Sequence, residues 1–183
     1  MSTGNRMTAL IVHESMFDNT AAIAAAVGRG LVAEGVDVSS VDVAAAPGLR
    51  TIDVDLLVVG APTHAFSMSR PTTRADAVRQ GAPADRARIG VREWLDVSSI
   101  GSERVPLAAM FDTRIRKVRH LPKAAGTRGD HVLTRLGFTV IVRPEAFVVE
   151  DVKGPLADGE IERAVEWGRD LARRCQERLV VPA

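Results

Sequence analysis

Residues 8–31 read T-A-L-I-V-H-E-S-M-F-D-N-T-A-A-I-A-A-A-V-G-R-G-L. The apolar run Ala9, Leu10, Ile11, Val12 gives way to a polar loop from Ser15 to Thr20. Small residues follow, with Ile23, Val27 and Leu31 at every fourth position, which is one face of a helix. The stretch therefore predicts strand, loop, helix. A loop of this kind holds an anion well. Its backbone N–H groups sit at the positive end of the helix dipole. Ser15 and Thr20 add hydroxyls, and Asn19 offers an amide or a cap. The loop has no lysine and the chain has no G-x-x-x-x-G-K-[ST], which argues against a nucleoside triphosphate. The donor set suits one phosphomonoester held by neutral groups.

Strand and helix signals alternate outward from this unit. The first strand is expected near 10–14 and its helix over 19–34, stopped by Gly35. Residues 36–43 alternate apolar and polar, as in a half-buried edge strand. Residues 56–60 and 105–111 are apolar runs suited to central parallel strands. Helices are expected over 72–80 and 86–95, parted by Gly81-Ala82-Pro83, and over 122–136, ended by Gly137. A fifth strand is expected over 138–142, with Pro144 interrupting it before 147–149. A last helix is expected over 159–179, with Ile161, Ala164, Val165, Gly168, Leu171, Ala172 and Cys175 on its apolar side. Five strands alternating with helices make an α/β fold with a parallel sheet covered on both faces.

Composition bounds the function. At 183 residues, 46% of them hydrophobic, the chain suits a single domain over 1–183 with a real core. Residues 1–7 are expected to form a flexible polar tail without a signal core. A net charge of +1 does not point to nucleic acid. No apolar run nears the ~20 residues of a membrane span, so a cytoplasmic protein is expected. Cys175 is the single cysteine and reads as a buried thiol. His13, His64, His120 and His131 are scattered without metal-ligand spacing, and no G-x-S-x-G elbow occurs, so neither a metal nor a catalytic nucleophile is assigned. Trp94 and Trp167 read as packing residues on helices, and Glu160, Glu162, Arg163 and Glu166 as a solvated helix face.

The loop S-M-F-D-N-T resembles the phosphate loop of flavodoxins, T/S-x-T/F-G-N-T, and H-E-S-M-F-D-N-T resembles a branch reading E-S-M-F-G-N-T. Further likeness lies in V-V-G-A-P-T-H, A-A-M-F-D-T-R and G-P-L-A-D-G-E-I-E-R-A-V-E-W. The resemblance implies a three-layer α/β/α sandwich with a five-stranded parallel sheet in the order 2-1-3-4-5. Its crevice would lie beyond the carboxyl ends of strands one and three. It implies FMN as cofactor. Ser15, Met16, Phe17, Asp18, Asn19 and Thr20 would hold the phosphate. Pro62, Thr63, His64, Ala65 and Phe66 would form one ring-contacting loop, and Asp112, Thr113 and Arg114 the other.

Two departures matter. Asp18 stands where the family has glycine, and an aspartate about 5 Å from a phosphate dianion costs about 1–2 kcal/mol under water-like screening. That implies FMN held weakly or lost on purification. The chain also has no tyrosine, and none of its aromatics falls in the loop of Asp112 to Arg114, where flavodoxins place one. Two readings stay open. One is an FMN-binding redox protein, carrying electrons or, as an FMN-dependent oxidoreductase, reducing a substrate. The other is a flavodoxin-fold protein that has lost FMN and acts as an interaction or regulatory module. In the redox reading the partner is a redox protein or an NAD(P)H-linked donor. The basic run Arg114, Arg116, Lys117, Arg119, His120, Lys123 favours an anionic one. A monomer or homodimer is expected.

Overall fold

The computed structural model describes residues 6–96, 105–118 and 124–180. Its elements are β1 (Thr8–His13), α1 (Asn19–Ala33), β2 (Asp37–Asp42), β3 (Leu56–His64), β4 (Ser67–Met68), α2 (Pro71–Arg79), α3 (Val91–Trp94), β5 (Leu107–Ile115), α4 (Ala125–Arg135), β6 (Thr139–Val140), β7 (Glu145–Val149) and α5 (Glu160–Val180). The main path of the sheet is β2-β1-β3-β5-β6, all parallel. This is the expected order, with the fifth strand in two pieces. β6 pairs with the start of β5 and β7 with its end.

Among the described residues the expected five strands become seven, for two reasons. From Leu107 to Phe111 β5 advances four residues, while the edge strand advances six, from Thr139 to Glu145. The excess is a break at Pro144, which has no N–H for the ladder. In addition, β4 folds back antiparallel on the end of β3, pairing Thr63 with Met68 and His64 with Ser67.

These pairings lengthen β3 to His64 and β5 to Ile115, so both expected ring loops are largely strand. The helix expected over 86–95 is broken into a 3₁₀ turn, Ala84–Ala87, and the short α3. Of the expected tail, Met7 packs into the core; residues 1–5 lie outside the described residues.

Strand alternation divides the core. Ile11, Val58, Ala109 and Phe111 face α1 and α5; Leu10, Val12, Leu57, Val59 and Met110 face Trp94, Leu133 and the loops between them. Helices α1 and α5 cross closely because two glycines meet there. A Cβ on Gly30 would strike the carbonyl of Val165, and one on Gly168 the carbonyl of Val27. Gly35, at φ 83°, turns the chain out of α1 as expected.

Both tryptophans pack. Trp167 meets Phe111 and Phe147 edge to face, at 6.0 and 6.1 Å between centroids. Trp94 is buried and donates its indole N–H to Pro47 O at 2.9 Å.

The helix face expected to be solvated is corrected in part. Arg163 lies 4.4 Å over the Phe147 ring and pairs with Glu145 and Glu160, and Glu160 accepts from Val148 N at 2.8 Å. Glu162 and Glu166 do face solvent. Cys175 is fully buried. Among the described residues no helix is long and apolar enough to cross a membrane.

Candidate functional site

A cleft of about 290 Å³ opens at the carboxyl ends of β1, β3, β5 and β7. From the expected set it gathers Ser15, Met16, Phe17, Asn19, Thr20, Pro62, Thr63, His64, Ala65, Thr113 and Arg114. Asp18, Phe66 and Asp112 are not on its wall. Helix α2 adds Thr73, Asp76 and Ala77, its C-cap adds Gln80, and the turn after β7 adds Asp151 and Val152.

The β1 end is a loop with unused donors. None of the backbone N–H groups from Met16 to Thr20 donates to another described residue. Helix α1 has no side-chain cap. Ser15 Oγ accepts from Ala21 N at 3.2 Å, so its hydroxyl hydrogen is free to point elsewhere. Thr20 and Thr113 hydroxyls lie 2.8 Å apart in the buried wall; one donates to the other, and the second proton remains for a ligand.

Asp18 explains why a glycine suits its place. Its φ of 64° is left-handed, a conformation glycine takes at no steric cost and aspartate more readily than most residues. The carboxylate faces solvent, with its side chain 74% exposed, and pairs with Arg86 at 2.6 Å. The same Arg86 Nη1 reaches the carbonyls of Ser15 and Met16 at 3.5 and 3.4 Å. A trans peptide sets its N–H opposite its C=O, so the N–H groups of Met16 and Phe17 point away from Arg86. The guanidinium thus holds the loop from behind and offsets the aspartate charge.

The β3–β5 end is built differently. Asp112 is fully buried. Arg114 donates to it through Nε at 2.7 Å and Nη2 at 2.5 Å, Gly126 N donates at 3.0 Å, and Thr63 Oγ1 at 3.3 Å. Thr63 Oγ1 in turn accepts from Ala125 N at 3.0 Å. Thr63 and Asp112 therefore satisfy the first amides of α4. Their polar atoms are engaged before any ligand arrives.

No tryptophan or phenylalanine among the described residues lines this end. Phe66, with φ 66°, is the 51% exposed tip of the β3–β4 turn. His64 stays on the wall, and burial holds its pKa below the ordinary value. Arg116 is paired with Glu150 outside the cleft and Lys117 is exposed. Arg119, His120 and Lys123 of the expected basic run lie outside the described residues.

No family model and no curated protein sequence matches the chain. Solved structures do match. A short-chain flavodoxin associated with a non-canonical PDU bacterial microcompartment aligns with a TM-score of 0.65 at 16% identity, over 92% of this chain and 99% of that one. A flavodoxin from the domain Archaea aligns at 0.61 and 18% identity, over 93% and 99%. The fold is that of the flavodoxins. The rubredoxin:oxygen oxidoreductase of Desulfovibrio gigas aligns at 0.61 and 16% identity; this chain spans 37% of its length.

Within this flavodoxin fold, a second polar cluster lies behind the loop of residues 15–20. Glu14, 1% exposed, accepts from Val91 N at 2.9 Å through Oε2, and its Oε1 has no partner among the described residues. Arg74, buried, pairs with Glu93 at 3.1 Å and donates to Ser69 Oγ at 2.8 Å. Gly90 makes room for the cluster, since a Cβ there would meet Arg74, Ser69 and Glu14 at once. The guanidinium pairs with Glu93 and not with Glu14, and burial pushes the Glu14 pKa up. His13 is likewise lowered by burial and leaves Nδ1 unpartnered, in keeping with a structural place inside the sheet. Among the described residues no cluster of His, Cys, Asp or Glu has the makings of a metal site.

Proposed function

We propose that the chain is an FMN-binding redox protein that transfers electrons or uses the flavin to reduce a substrate. The observation that carries this reading is the run of amides from Met16 to Thr20, which find no acceptor among the described residues, at the start of a 15-residue helix without a side-chain cap, beside the cleft. The chemistry of the donor set fits a phosphomonoester: neutral amides and hydroxyls, with no lysine. Bound there, the flavin would supply one- and two-electron redox chemistry. The chain's residues would hold the phosphate through Ser15, Asn19, Thr20 and the loop amides, and keep His64 neutral beside the cleft.

The charge cost expected from Asp18 is reduced. Its carboxylate is in water and countered by Arg86, so a surface pair of this kind changes binding by less than about 1 kcal/mol. A flavin-free interaction module keeps one supporting observation, the polar groups of the β3–β5 end that already serve α4.

A fluorescence titration with FMN and with riboflavin separates the two readings. FMN should bind well above riboflavin, and Thr20→Val should weaken FMN about tenfold, one lost hydrogen bond to a charged group, while leaving riboflavin unchanged. Equal losses for both ligands would remove the phosphate site, and no binding of either would favour the module.

A further inference from the structure

We propose that the β3–β4 hairpin is the docking surface for an acidic electron-carrier protein. The inference rests on the redox reading for calling the partner a carrier. Phe66 stands at the hairpin tip, 51% exposed, on a left-handed backbone that turns it outward. Its neighbours Ala65 and His64 line the cleft, so a protein seated on Phe66 touches the cleft rim.

Three arginines converge on this hairpin from three elements. Arg92, on α3, donates to Ser69 O and Met68 O, each at 2.9 Å, and to Ser67 Oγ at 3.2 Å. Its guanidinium is thereby fixed beside the residue next to Phe66. Arg70 is exposed at the start of α2. Arg128 is exposed in the first turns of α4, which packs against both β3 and β4. Arg92 is lowered in pKa first by burial and then by the charges of Arg70 and Arg128, which places the three near one another.

None of the three forms an ion pair with a described carboxylate. Arg86, Arg114, Arg116 and Arg163 are each closed by an Asp or Glu. Glu93 and Glu14 offset part of the charge on Arg92 but form no ion pair with it. Arginines not closed by an ion pair, set around an exposed aromatic, have the composition of a protein interface, and their field steers a negative surface toward them.

The test uses the full chain, mixed with FMN, in 50 mM salt. The probes are an acidic plant-type ferredoxin and, as the opposite charge, the basic carrier cytochrome c. Ferredoxin should bind the more tightly of the two, and should move the amide NMR signals of residues 64–70, Arg92 and Arg128. Raising salt to 300 mM should weaken it at least tenfold. Arg70→Glu with Arg128→Glu should do the same in 50 mM salt, and Phe66→Ala should cost about tenfold. Arg178→Glu, on the opposite helical layer, should change affinity less than twofold.

Tighter binding of cytochrome c, ferredoxin binding indifferent to the double reversal, or shifts confined to another face would overturn the proposal. So would NADPH that occupies the hairpin and displaces ferredoxin. Flavin absorbance in the same sample keeps the two readings apart. Ferredoxin docking without bound FMN upholds the surface and removes the cofactor; bound FMN without docking does the reverse.

Discussion

The two ends of the cleft hold similar residues for different purposes. At the β1 end the N–H groups from Met16 to Thr20 have no acceptor among the described residues, and Arg86 braces the loop from outside. At the β3–β5 end Thr63, Asp112 and Arg114 are satisfied by one another and by the first amides of α4. A residue type on a cleft wall therefore does not tell whether it serves a ligand or the fold. What tells is whether its donors and acceptors are already used. Substitution at the first end should cost affinity, and at the second, stability.

The largest effect is expected at the β3–β5 end. Asp112→Asn removes the buried charge that the 13% exposed Arg114 pairs with and should cost about 3 kcal/mol in urea unfolding followed by tryptophan fluorescence. A loss under about 1 kcal/mol would mean that these groups are free for a ligand and would erase the contrast. Next comes Arg86→Met. It should lower FMN affinity about 30-fold, near 2 kcal/mol, through loss of the charged hydrogen bonds that hold the loop carbonyls. Riboflavin affinity and unfolding midpoint should barely move; parallel losses in both would make Arg86 a general packing residue.

Glu14 sharpens the comparison, because it is a buried polar group under the β1 end. Its folded pKa is raised by burial from the ordinary 4.5, so the folded state binds the extra proton. Its contribution to stability is full below that ordinary value and is lost as pH rises through the raised one. Urea midpoints should therefore decline from about pH 4.5 upward in the native chain and decline less in Glu14→Gln. An identical slope in both would show that the Glu14 carboxyl binds no more protons folded than unfolded. The smallest effect belongs to Asp18→Gly. With the carboxylate in solvent, FMN affinity should change less than threefold. A tenfold gain by the glycine variant would place the charge at the phosphate after all.

The parts of this arrangement differ in how far the sequence reveals them. The loop of residues 15–20 is legible because strand, loop and helix are contiguous, and the donors it offers are backbone amides. Sheet order follows from alternation and the motif together. Arg86 is not legible: it lies 68 positions from Asp18, in a stretch that reads as plain helix. Nor is the contribution of α2. It reaches the cleft because the chain reverses at Ala65 and Phe66, at φ 45° and 66°, where neither a glycine nor an asparagine announces the turn. Asp112 reads as a loop residue because its strand partner, Ala146, and the Gly126 amide come from distant segments.

The break at Pro144 has a consequence for how this protein behaves in a crowded, concentrated solution. A parallel sheet ends in two open edges, each a template onto which a stray chain can add a strand. On the far side β2 is short, and its sequence D-V-S-S-V-D sets a negative charge at either end, so two copies meeting antiparallel bring like charges together. On the near side the edge has no continuous row of donors at all. It runs for two residues, loses register over four, and resumes for five. A neighbour that began to zip along β6 would meet the displaced Pro144 segment and stop. The same irregularity that splits the fifth strand therefore acts as a guard against edge-to-edge aggregation.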